Sequence, residues 1–219
     1  MISQQLEFLS QSYNSCCMLS AQEGSPSITP EKVSHISHHH GQNIISLLTC
    51  LIGHRPDLST LSNRERYRSC NNSTGLGIGS QGPMGRLLIR GELGHDTVDE
   101  LYPLPNEPII DKPGRGAFAH TDFELLLRNK GIKNLVIAGV TTDVCVSTTM
   151  REANDRGFDC VLLEDGSAAA EPALHTGTLE SVKMEGGIFG SVAKLEDVIH
   201  AVDNFKAVTM KKLAPQLTG

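Results

Sequence analysis

The sequence lacks an excess of basic residues, a long apolar segment and a pattern of paired cysteines. Its formal net charge is −6 at pH 7, so we expect no nucleic-acid partner. No apolar run approaches the ~20 residues of a transmembrane helix, and the first residues show no signal-peptide pattern, so we expect no membrane association. The six cysteines form no CxxC pair. Because such cysteines are typical of reduced thiols, we predict a cytoplasmic protein.

Motifs for nucleotide and metal binding are incomplete. Residues 75–85 contain five glycines, but a nucleotide-binding loop also needs a preceding strand or a following lysine, and neither is present. His38, His39 and His40 are consecutive, so they do not share one face, and no further ligand follows at metal-binding spacing. We therefore expect neither a cofactor nor a metal site.

The first 52 residues also lack the hydrophobic periodicity of the rest. They are rich in serine, glutamine and histidine, and we predict that residues 1–52 are largely disordered. Asn43 to Ile52 is the exception, because its apolar run fits either a buried strand or a short core helix. Residues 53–205 are predicted to form one compact domain, and residues 206–219 a tail.

The compact domain is organised around a strand followed by a helix. Leu135 to Val140 is a continuous apolar run, typical of a strand buried on both faces of a parallel sheet. A helix is predicted to follow it, capped by Thr141 or Thr142 and ended by Gly157. Cys145 therefore lies at the sheet edge where α/β proteins bind ligands, and the helix dipole there favours a thiolate.

Two other interpretations of Cys145 compete with its role as a nucleophile. A lone cysteine in an α/β protein often serves only for packing. Cys145 and Arg151 also have the C-x5-R spacing of a phosphatase phosphate loop. That loop turns its backbone amides inward, which usually takes glycine, and none lies between the two residues. We therefore predict that Arg151 lies on a helix face.

A second informative stretch surrounds Lys112. Pro108 to Asp111 is predicted to be a strand, so Lys112 leaves the sheet at the same edge as Cys145, where its charge would stabilise a thiolate. The alternative is a surface lysine at a strand end. Thr121 to Lys130 is predicted to be a helix, and further strands (158–163, 188–192) alternate with helices (174–184, 195–205). This alternation indicates an α/β fold with a parallel, doubly wound sheet.

Three blocks of sequence carry a resemblance to a known family. They are IIDKPGRGAF, GVTTDVCV and REANDRGF. Together with GHRPDL and KMEGGIFG, they are similar to the isochorismatase-like cysteine hydrolases, and most similar to the branch that contains biuret hydrolase. The resemblance implies a Rossmann-like three-layer α/β/α sandwich with a mostly parallel sheet, assembled as a homo-oligomer.

The resemblance also implies a set of site residues. The family triad is an aspartate, a lysine and a cysteine, and the last two correspond to Lys112 and Cys145. A cis peptide bond is implied between Val140 and Thr141. The backbone amides of Thr141 and Cys145 would then form the oxyanion hole.

The triad aspartate has no counterpart in this sequence. The family places it at the end of the first strand, but no aspartate precedes Asp57. The carboxylates of the first 52 residues are Glu7, Glu23 and Glu31, and none follows a predicted strand. We therefore expect a sheet that is incomplete at its amino-terminal end, without its central strand and its catalytic acid.

The implied activity is hydrolysis of a C–N bond in a small amide or ureide through a thioester. Phe118 and Glu185 are predicted to line the substrate pocket, although Phe118 would also fit against the core. The alternative is a non-catalytic or truncated family member that is inactive or acts only as an assembly subunit. Metal-dependent hydrolysis is a weaker option, because the Asp-x-His pattern of the related nicotinamidases is absent.

Overall fold

A computed structural model describes residues 15–20, 45–97, 102–105 and 107–213 of the chain. The strands are β1 (Ser15–Ser20), β2 (Ile45–Ile52), β3 (Gln81–Gly82), β4 (Gly85–Arg86), β5 (Ile109–Lys112), β6 (Asn134–Val140), β7 (Asp159–Ala168) and β8 (Ser191–Ala193). The α-helices are α1 (Asn63–Ser69), α2 (Phe123–Asn129), α3 (Ser147–Asp155), α4 (Pro172–Lys183) and α5 (Leu195–Leu213). Six strands form one sheet in the order β5-β2-β1-β6-β7-β8, with every pair parallel, and β3 and β4 form a small antiparallel pair.

The sheet carries helices on both faces, which confirms the three-layer sandwich. Helices α2, α3 and α4 pack on one face and α5 packs on the other. Side chains of β6 alternate between the two layers, as the pleat of a strand requires. Helix α2 buries Phe123 and Leu127 one turn apart, and full burial of each stabilises the fold by roughly 1.5–3 kcal/mol.

The expectation that the sheet lacks its central strand is wrong. Strand β1 lies between β2 and β6, and Ser15 to Ser20 is in register with Asn134 to Gly139. Pairing with a strand on each side outweighs the weak strand signal of this short stretch, because strand preference depends strongly on context. Glu23 follows β1 by three residues in the sequence, so the premise that none of the early glutamates follows a strand is also wrong.

The predicted disorder of most of residues 1–52 is wrong for β1. The apolar run from Asn43 to Ile52 contributes a strand rather than a helix. The remaining residues of this segment, with His38 to His40 among them, lie outside the described part of the chain.

The later elements follow the predicted order with shifted bounds. Strand β6 and helix α2 lie where the sequence predicted them, and Gly157 follows α3 with a φ of 77°. Helix α5 continues to Leu213, so the predicted tail from residue 206 begins too early. No helix in the described ranges combines the length and the apolar character needed to cross a bilayer.

Candidate active site

The cysteine turn begins where β6 ends. The peptide bond between Val140 and Thr141 is cis, as the resemblance implied. A single wide turn over Thr142–Val146 then precedes α3, because the Val146 amide donates to the Thr141 carbonyl five residues earlier at 3.2 Å. Cys145 lies in this turn and is partly exposed. The α-helix therefore begins later than predicted, and Cys145 precedes it instead of lying in its first turn. Wide turns of this kind are frequent at functional sites.

Thr141 occupies the N-cap position of the turn, as predicted, but no capping hydrogen bond from its side chain is present, and a histidine that sequence reasoning missed contacts Thr142. Neither Thr141 nor Thr142 caps the turn through its side chain. Instead the buried Thr142 hydroxyl lies 2.9 Å from Nδ1 of His175 on α4. This contact holds the cysteine turn against α4. A lone histidine on a largely exposed helix gives no sequence signal for such a role.

Arg151 lies on a face of α3, as predicted, and not in a phosphate-binding loop. Its guanidinium donates to the hydroxyls of Ser147 at 3.2 Å and Ser181 at 3.1 Å. The same group lies 3.8 Å from the ring centre of Phe189. These contacts join α3 to α4 and to the segment before β8.

Lys112 is buried at the end of β5, so its interpretation as a surface lysine is wrong. Only 1% of the residue is exposed. Its Nζ donates to the carbonyls of Gly114 at 3.1 Å and Arg115 at 2.7 Å. Burying an ammonium group is costly unless it is hydrogen-bonded. The two carbonyls meet that need and fold the following loop over the lysine.

The lysine loop (residues 113–118) is tied to the cysteine turn through Thr149. The buried Thr149 hydroxyl accepts a hydrogen bond from the Ala117 amide at 3.1 Å and donates to the Cys145 carbonyl at 2.8 Å. Lys112 and Cys145 are thus brought to one edge of the sheet although they lie on separate strands and connections. Sequence reasoning missed Thr149, because a threonine inside a helix has no distinctive pattern.

A second thiol, Cys50 on β2, lies in the same electrostatic surroundings. Burial raises the pKa of Cys50 to about 12, a nearby charge on Cys145 adds to the shift, and the positive charge of Lys112 opposes it. Cys50 therefore stays protonated at neutral pH. Lys112 and Cys145 both act on the Cys50 thiol, which supports a common location for the two groups. Its strand was not distinguished from a helix in the sequence, so its position was not predicted.

An ion pair borders the lysine loop. The Arg115 guanidinium donates to the carboxylate of Glu65 on α1, and this hydrogen bond holds the pKa of Glu65 below its ordinary value. The Ser62 hydroxyl caps α1 by accepting from the Glu65 amide at 3.1 Å. Sequence reasoning missed Glu65, because its partner Arg115 lies 50 residues away in the chain.

The two predicted pocket residues lie in different surroundings. Phe118 is 6% exposed and packs edge to face on Phe123, with ring centres 4.8 Å apart. Its ring thus packs against the core because the loop turns it inward. This is the second of the two positions predicted for Phe118. Glu185 is exposed in a turn after α4, with a φ of 53°. A substrate contact by either residue stays a prediction.

The described residues hold no cluster of three or more histidine, cysteine or carboxylate side chains suited to a metal ion.

Comparison with known proteins identifies the family. The isochorismatase domain model matches residues 59–197. The ureidoacrylate amidohydrolase RutB of Pantoea ananatis is 40% identical over 89 residues, which are 41% of this chain and 36% of that protein. Its counterpart from Klebsiella pneumoniae is 31% identical over 129 residues, 58% of this chain and 53% of that protein. The chain thus spans between about a third and a half of the length of these relatives.

The solved structures agree on the fold. A cysteine hydrolase from Pseudomonas syringae pv. phaseolicola has a TM-score of 0.72 and 18% identity, and the match covers 88% of this chain and 94% of that one. Identity at this level supports the fold alone. Because the domain model matches more than half of the sequence, we conclude that the chain belongs to the isochorismatase family.

Proposed function

We propose that this chain hydrolyses a C–N bond of a small amide or ureide with Cys145 as the nucleophile. The observation that carries the proposal is the position of this partly exposed thiol. It lies at the carboxyl edge of a parallel sheet and is joined through Thr149 to the loop that covers Lys112. The curated relatives named ureidoacrylate amidohydrolase support C–N hydrolysis of this kind.

The reaction would proceed through a thioester. The Cys145 sulfur attacks the carbonyl carbon, the C–N bond breaks, and the amine leaves with the proton that the thiol gives up. Water then attacks the thioester carbon, the C–S bond breaks, and the thiol is restored as the acid product leaves. The cysteine therefore ends the cycle unchanged.

Three groups would stabilise the charge that develops on the carbonyl oxygen and the sulfur. The backbone amides of Thr141 and Cys145 would donate to the oxygen, and each such donor lowers the barrier by roughly 3 kcal/mol. The buried positive charge of Lys112 would stabilise negative charge at the same edge.

One observation favours the alternative, a non-catalytic family member. The resemblance implies an acid at the end of the first strand, yet Ser15 to Ser20 contains no carboxylate to accept the thiol proton. A direct test of Cys145 chemistry distinguishes the two functions.

The test combines turnover with trapping of the thioester. The purified chain is incubated with small amides and ureides, and release of amine or ammonia is measured alongside hydroxamate formation in the presence of hydroxylamine. We expect both signals to fall by more than about 10³-fold in Cys145→Ser. Both should persist in the control Cys70→Ser, because Cys70 is an exposed thiol at the carboxyl end of α1.

Lys112→Met keeps much of the side-chain volume and removes the charge, so it should fold and lose turnover. The absence of any thioester from the folded wild-type chain, with Cys145 alkylated no faster than Cys70, would establish the non-catalytic alternative.

A further inference from the structure

The loop that covers Lys112 presents a second cation beside the site. Arg115 uses its backbone and its side chain in two directions: its carbonyl accepts from Lys112 Nζ at 2.7 Å, and its guanidinium reaches Glu65 on α1. The Glu65 side chain is 14% exposed and the Arg115 side chain 40%. The carboxylate therefore holds the arginine from the more buried side, while the guanidinium keeps an edge open to solvent.

The loop is held firmly next to the cysteine turn. Besides the Ala117 contact with Thr149, the Phe118 amide donates to the Glu152 carboxylate at 3.3 Å. A Cβ atom added to Gly116 would lie 2.5 Å from that carboxylate, so the backbone approaches α3 as closely as a glycine allows. The hydrogen bond from Glu65 raises the pKa of Arg115, and a charge on Cys145 adds to the rise. The guanidinium thus lies within electrostatic reach of the nucleophile.

Stability alone gives a weak reason for this ion pair. Partly exposed pairs typically contribute about 0–1 kcal/mol. Arg68 lies 3.6 Å from the other oxygen of the same carboxylate. Two arginines therefore face one glutamate, and the local charge is one positive unit in excess. A guanidinium has several N–H donors in a planar fork that matches a carboxylate, and only one nitrogen is used on Glu65.

We propose that Arg115 binds a carboxylate at the far end of the substrate, so that the chain prefers amides or ureides bearing a carboxylate over neutral ones. This inference rests on the proposed function, because the bound carboxylate would orient the substrate carbonyl toward Cys145. Arg115 is then a specificity-determining residue, and Glu65 fixes the orientation of its guanidinium.

The test measures charge selectivity at Cys145 without requiring turnover. Iodoacetate and iodoacetamide alkylate the same sulfur with loss of iodide and differ in a carboxylate. Peptide mass spectrometry gives both rates at Cys145, with the exposed Cys70 as an internal reference. At low ionic strength we expect Arg115→Gln to lower the iodoacetate-to-iodoacetamide ratio about fivefold, and Glu65→Gln to raise it.

Two further variants separate charge from folding. Arg115→Lys keeps the charge and should retain most of the selectivity. Arg128→Gln removes a comparable ion-paired arginine on α2, which lies 3.2 Å from Glu124, and should leave the ratio unchanged. Protection by a matched pair of ligands gives a second readout: 3-ureidopropionate should slow alkylation of wild-type Cys145 more than propylurea, and the difference should vanish in Arg115→Gln.

The outcomes for the two proposals are distinct. Equal ratios in the wild type and Arg115→Gln, with no advantage for 3-ureidopropionate, would overturn the carboxylate site even if Cys145 reacts rapidly with iodoacetamide. A Cys145 that reacts no faster than Cys70, but loses iodoacetate preference in Arg115→Gln, would support the carboxylate site and overturn the nucleophile.

Discussion

Thr149→Val should separate the lysine loop from the cysteine turn with almost no change in side-chain shape. The wild-type hydroxyl accepts from the Ala117 amide at 3.1 Å and donates to the Cys145 carbonyl at 2.8 Å, and Thr149 is 2% exposed. A buried donor left without its acceptor costs about 1–3 kcal/mol, and a lost carbonyl contact about 0.5–1.5 kcal/mol. We therefore expect the free energy of unfolding to fall by about 2–4 kcal/mol.

The assay is urea unfolding, with the midpoint and slope compared between variants. The matched control is Thr178→Val on α4, whose hydroxyl makes a similar 2.8 Å bond to a carbonyl four residues earlier but is exposed to water. This control should change stability by no more than about 0.5 kcal/mol. Thr149→Ser keeps both hydrogen bonds and should lose only about 1 kcal/mol. Equal losses in the two valine variants would refute the role assigned to the Thr149 hydroxyl.

Three further predictions follow from single contacts. Burial lowers the pKa of His54 below its ordinary 6.5, so below that pH the unfolded chain binds a proton that the folded chain does not. The free energy of unfolding should therefore fall as the pH drops below 6.5, and His54→Gln should flatten this slope in urea titrations; an unchanged slope would contradict it. His175→Ala leaves the buried Thr142 hydroxyl without its 2.9 Å contact and should alter the iodoacetamide rate at Cys145, whereas the exposed His200→Ala should not. Gly190→Ala places a Cβ 2.1 Å from a β7 carbonyl at a φ of 124° and should cost more than about 2 kcal/mol in thermal or urea unfolding; a smaller loss would show that β8 moves freely.

The elements that sequence reasoning located share a strong local pattern. The apolar run of β6 has no polar interruption between Leu135 and Val140, so burial on both faces follows from composition alone. Helix α2 is marked by Phe123 and Leu127 at helical spacing and by a glycine at its end. Where side-chain period and end residues agree, the fold is predictable without knowledge of distant contacts.

The site was predictable only in part, because its supporting contacts join distant parts of the chain. Cys145 follows β6 and Lys112 ends β5, and their place at strand ends was visible in the sequence. The burial of Lys112 depends on carbonyls of its own loop, and the loop depends on Thr149, which lies 32 residues from Ala117. Glu65 meets Arg115 across 50 residues. No local pattern encodes these pairings.

The first strand of the sheet forms without the aspartate that the resemblance implies at its end. The missing aspartate suggested that the central strand was missing with it. Yet Ser15 to Ser20 pairs along its length with β6 and lies beside β2, and a parallel ladder requires only backbone groups in an extended conformation. A carboxylate at the end of such a strand contributes to chemistry and not to the ladder. The absence of a carboxylate from Ser15 to Ser20 therefore leaves the sheet intact, so a folded chain is expected whether or not Cys145 turns over a substrate.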